Sequence, residues 1–124
     1  MVELDVTPGA RDGREERIRS AVLRLAEAPP SAEEAKRRPA TPGLAENLVF
    51  EFDEAYTGFV EGFVALPSEA QLLALQAVDT AVAAMVGAKE AALWTEAARR
   101  EDPRWIDLRA RSQALADAFG WSTR

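Results

Sequence analysis

Residues 44–80 read LAENLVFEFDEAYTGFVEGFVALPSEAQLLALQAVDT, and the fold turns on how they are read. Leu48, Phe52, Ala55, Phe59, Gly62 and Leu66 recur at spacings of three and four, the period of an α-helix. Val49, Tyr56, Val60 and Phe63 widen that stripe. Taken alone, Leu48 to Phe52 has the composition of a strand, but the longer helical period outweighs it. Pro67-Ser68 interrupts the pattern, and Ser68 with Gln71 three residues on forms a capping box. An Ala-rich helical pattern then continues to about Arg100. The stretch predicts two long helices, about Pro42–Leu66 and Ser68–Arg100, turned back on each other at 67–68 as an antiparallel hairpin.

Two glycines inside the first helix sharpen this expectation. Each costs about 1 kcal/mol relative to Ala, so something must offset them. Ala55, Gly58, Gly62 and Ala65 share one face, and Ala77, Ala81, Ala84, Ala88 and Ala91 offer a matching one. The two faces are predicted to meet in a tight pair. A membrane reading of the glycines fails, because Asp53, Glu54 and Glu61 interrupt the helix.

The flanks follow. A helix is predicted from Gly13 to Ala28, capped by Asp12 with Glu15 and carrying the stripe Ile18, Ala21, Val22, Leu25. Pro29-Pro30 ends it. Residues 1–11 read as an irregular arm broken at Thr7-Pro8-Gly9, and residues 29–43 as a mobile linker. That linker holds a short helix begun by Ser31 and a basic knot, Lys36-Arg37-Arg38. Asp102-Pro103 gives an N-cap with Pro at the first helical position. Trp105, Leu108, Ser112, Leu115 and Phe119 continue that helix, and Gly120 and Trp121 suit a Schellman ending. Residues 122–124 should fray. The expected fold is all-α: one domain over 1–124, a four-helix bundle-like core over 44–119 built on the long hairpin, with the Gly13 helix loosely attached. The second hairpin helix is apolar nearly all round, which marks it as central or shared between subunits.

Composition excludes much chemistry. With 124 residues the chain can bury a core without staples. It has no Cys and no His, which removes thiolate nucleophiles, disulfides, imidazole bases and the commonest soft-metal ligands. The net charge of −6 is uneven: residues 1–38 are balanced, 39–98 carry −8 and 99–124 carry +2. So acidic a centre argues against a surface that tracks a nucleic-acid backbone, and suits a basic partner or simply solubility. Ala is abundant and Lys is limited to Lys36 and Lys89, a bias typical of GC-rich bacterial coding. No apolar run approaches a membrane span of about 20 residues, and the start, Met1-Val2-Glu3-Leu4-Asp5, is acidic rather than signal-like. A cytoplasmic protein is expected.

Asp79 is the most informative single residue, because it interrupts the stripe Leu72, Leu75, Val82, Val86. With the hairpin turned at 67–68 it faces Tyr56, and the two are expected to form a buried polar pair. Phe50, on the polar side of its helix with Glu54 and Glu61, and Trp94, off the main stripe, are candidates for a protein interface. Basic and aromatic residues interleave poorly for nucleic acid: Glu101, Asp102 and Asp107 break up the arginines around Trp105.

Glu51-x-x-Glu54 resembles the first half of the metal motif of the all-α nucleotide pyrophosphohydrolases, the MazG-like family. Gln76-x-x-Asp79 stands where that family has Glu-x-x-Asp, with Gln in place of one ligand. The resemblance covers two short spacings. It implies a Mg²⁺-dependent hydrolase with Glu51, Glu54 and Asp79 as ligands. The leading expectation is different: a non-enzymatic protein-interaction module without cofactor, of adaptor, immunity-type or phage-encoded kind. It would self-associate as a homo-oligomer or bind a protein partner, possibly a basic one, through the acidic, aromatic-bearing hairpin.

Overall fold

The computed structural model describes residues 3–39, 41–62 and 67–121; for 3–12 it describes the backbone only. The described residues are helical, with no strand among them. The order is α1 (Glu3–Ala26), α2 (Ala32–Arg37), α3 (Leu44–Glu61), α4 (Glu69–Ala88), a 3₁₀ turn (Ala91–Trp94), α5 (Glu96–Glu101) and α6 (Pro103–Phe119). Leu48 to Phe52 lies within α3. Phe63, Ala65 and Leu66, assigned above to the first hairpin helix, fall outside the described residues, as do Met1, Val2 and residues 122–124.

The core forms where the stripes predict it. Ile18, Ala21, Val22 and Leu25 of α1 are buried with Leu48, Val49 and Phe52 of α3. Leu75, Val78, Val82 and Met85 of α4 and Trp105, Leu108 and Leu115 of α6 complete it. The partnerships are not those expected. α1 packs on both α3 and α6, and α6 on α4, whereas α3 and α4 meet only sparsely. Neighbouring helices run antiparallel. Arg24 pairs with Glu51 while Arg14 lies against Gly62, at opposite ends of the α1–α3 seam. Gln71 donates to the Ala118 carbonyl and Arg111 to that of Ala77 along α4–α6. Gln113 donates to the Ala26 carbonyl, tying α6 to the end of α1.

The tight Gly/Ala pair is therefore not formed. A Cβ on Gly58 would meet open space, and Ala84 and Ala88 are exposed. Gly62 is the C-cap of α3, and the atom it leaves room for is in the Arg14 side chain of α1. Ala55 and Ala81 pack against the core instead, and Arg111 of α6 donates to the Ala77 carbonyl. α4 is not the central helix: α6 packs on α1, α4 and α5, and α1 on α3 and α6. The helix expected from Gly13 starts at Glu3, so the arm expected over 1–11 is helical from that residue. A proline this near a helix start removes one backbone bond, to the carbonyl four residues back, and the helix runs on.

The second hairpin helix also differs. It ends at Ala88 rather than near Arg100, because Lys89 turns left-handed at φ 54°. Thr95 then caps α5 by accepting from the Ala98 amide at 3.0 Å. α4 is long and apolar enough, by length and composition, to cross a membrane, contrary to the reading that no segment is; 22% of that window is buried in the protein. α2 has its Ser31–Glu34 capping box but buries nothing.

Candidate binding groove between α3 and α4

Because α3 is held by α1 and α4 by α6, the edge between α3 and α4 stays open. It forms a groove of about 670 Å³. Val49 and Phe50 from α3, Val82 and Val86 from α4, and Trp94 from the 3₁₀ turn give it apolar walls. Glu46 and Asp53 from α3 and Asp79 from α4 are its charged groups, and none of its lining residues is basic. Phe50 is 59% exposed and Val86 54%. Val60 of α3 and Leu72 of α4, outside the groove lining, are also exposed.

The helical period explains how these residues share a face. Glu46, Val49, Asp53 and Val60 fall on one flank of α3, next to the buried stripe. Leu72, Asp79 and Val86 repeat every seven residues along α4, beside Leu75 and Val82. Each groove wall is thus the outer margin of a stripe whose centre is buried.

Trp94 is fixed from behind. Its neighbour Leu93 is buried, and the Leu93 carbonyl accepts from Trp105 Nε1 at 2.8 Å. The Trp94 and Trp105 rings meet edge to face with centroids 6.0 Å apart. Arg104 clasps the same turn. Its guanidinium donates to both carboxylate oxygens of Glu90 at 3.0 and 3.1 Å and to Asp102 at 3.0 Å. Asp102 in turn caps α6 by accepting from the Arg104 amide at 2.8 Å. The hydrogen bond from Arg104, then its charge, holds the Glu90 carboxyl below the usual carboxylate range. Asp102 is lowered by the same side chain and by the Arg104 backbone N–H.

Asp79 and Tyr56 are both half-buried, and no hydrogen bond between them is present. The buried hydrogen-bonded pair becomes an electrostatic neighbourhood. Burial, and secondly the Asp79 charge, push the Tyr56 phenol above its ordinary value. Tyr56 stacks on Phe52 of the core, ring centroids 5.5 Å apart.

Of the four interface candidates, the structure brings Phe50 and Trp94 to the groove. Glu54 lies instead in a cleft toward α1 with Arg17, Arg24 and Glu51, and Glu61 is exposed at the end of α3. The carboxylates of the pyrophosphohydrolase resemblance do not converge. Glu51 is engaged by Arg24 and shares the α1 side with Glu54, while Asp79 lies in the groove. Among the described residues no group of three or more Asp or Glu could hold a metal ion. Glu46, Asp53 and Val86 were not singled out as site residues from sequence; the seven-residue spacings Glu46–Asp53 and Asp79–Val86 are the signal that could have found them. Compared with protein-family models, curated proteins and solved structures, the chain matches none.

Proposed function

We propose that the chain is a non-enzymatic, cytoplasmic protein-interaction module. Its four long helices act as a four-helix bundle with one edge left open, and that edge receives a protein partner. The observation that supports the reading is the pair of exposed apolar side chains, Phe50 and Val86, that line the groove from α3 and α4 together with Trp94. Exposed apolar surface of this kind marks interaction sites. Trp94 and Phe50 are the aromatic anchors such sites favour. Self-association through the same edge is the form this function would take in a homo-oligomer.

A display selection of random helical peptides tests the proposal. Binders are expected to lose affinity at least ten-fold for Phe50→Ser and for Val86→Ser. Both positions are exposed, so the fold should survive the changes. A selection whose binders ignore both substitutions, with a monomer of unchanged mass in light scattering, would overturn it.

A further inference from the structure

We infer that the partner is a basic amphipathic α-helix, lying in the α3–α4 groove as a fifth helix; this rests on the reading of the groove as a docking site. The dimensions come first. The lining runs from Glu46 to Asp53 along α3 and from Asp79 to Gly87 along α4, about 10–12 Å at 1.5 Å per residue. That matches about two turns of a guest helix. The walls are helices whose backbone groups are used internally, so there is no sheet edge for an extended guest to pair with. A strand in an apolar groove would leave its own N–H and C=O groups unpartnered, whereas a helix satisfies them itself.

Charge selects among helices. Glu46 and Asp53 on one wall and Asp79 on the other place acids along both sides of the apolar floor, with no basic residue among the lining. A guest with an apolar stripe at i, i+3, i+4 and i+7 and Lys or Arg on its margins would meet carboxylates on both flanks. A second copy of this chain docked edge to edge about a two-fold axis would set these carboxylates against their own counterparts. An anionic membrane surface meets the same repulsion.

The test uses three labelled 15-residue peptides and the full chain, read by fluorescence polarisation in low and physiological salt. One carries a Leu stripe flanked by Lys and Arg, one the same stripe flanked by Glu, and one is a scramble of the first. The basic peptide should bind at least ten-fold tighter than the other two and become helical on binding. Its affinity should fall at least ten-fold for Phe50→Ser. In Asp53→Asn/Asp79→Asn its advantage over the Glu-flanked peptide should shrink several-fold. Equal binding of the Glu-flanked peptide, still dependent on Phe50, would overturn the basic partner while keeping the docking groove. Binding of the scramble as tightly as the basic peptide, or indifference to Phe50→Ser, would overturn both. A dimer in light scattering that Phe50→Ser dissolves would make a second copy the occupant and overturn the inference alone.

Discussion

α4 has two long flanks of similar apolar character and opposite fates. On the α6 side Leu75, Val78 and Met85 are buried, and Arg111 and Gln71 tie the helices through backbone carbonyls. On the α3 side Leu72 and Val86 remain exposed, and carboxylates face one another across the gap. Apolar side chains alone therefore do not decide which seam closes. The closed seam also has donors that reach acceptors across it. The open one has acids on both walls and no cation among its lining to join them.

This contrast can be broken most forcefully at two residues of α3 that are two positions apart. Phe52 is fully buried, so Phe52→Ala should cost about 3–5 kcal/mol in urea unfolding. Phe50→Ala should stay within about 0.5 kcal/mol, as exposed substitutions do. A comparable loss at Phe50 would mean the edge is closed in solution.

A smaller effect is expected behind the groove wall. Asp102→Ala removes the α6 cap and one arm of the Arg104 clasp, and should lower the urea midpoint by less than Phe52→Ala does. If it also weakens binding of a groove ligand, the clasp sets the position of Trp94.

The same clasp predicts a pH dependence. Glu90 and Asp102 have carboxyls held below their ordinary values in the folded state. Their contribution to stability is present above those ordinary values, near pH 4, and is lost as pH falls through the lowered folded ones. Arg104→Gln should therefore flatten the acid limb of stability against pH, measured by urea midpoints between pH 7 and 3. An unchanged limb would place the acid sensitivity elsewhere.

The subtlest test reads the surroundings of Asp79. Tyr56 is the only tyrosine, so phenolate absorbance reports on it alone. Its folded value lies above 10.0, so the stability it contributes is present below that pH and is lost as pH rises further. Asp79→Asn should lower the titration midpoint only in part, since burial is the larger cause. No movement at all would separate the Asp79 charge from Tyr56.

The helical stripes were legible in the sequence. The period alone puts Leu48 and Phe52 on one line of α3 and Leu75 and Val82 on one of α4, and all four are buried. α6 was equally readable, because Asp102, Pro103 and Gly120 each have a local conformational reason to stand where they do. The open edge was not. Periodicity shows which face of a helix is apolar, but not which of several apolar faces it meets, so α1's place between α3 and α6 went unseen. The end of α4 was hidden for another reason: the left-handed residue is Lys89, a type that seldom signals such a turn. Without that break the sequence could not show that Trp94 would swing to the groove, nor that Phe50 would share a wall with Asp53 rather than with Glu54.

The turn at Lys89 gives the groove a direction. Trp94 follows the end of α4 and stands against Trp105, so it is a stop at that end, beside Glu46 and Gly87. A guest would be measured from that stop: its first anchor would seat against an indole face and the next would fall one helical turn along. The site would then read not only the apolar pattern of a guest helix but where that pattern begins, and sliding by one turn would leave the stop empty.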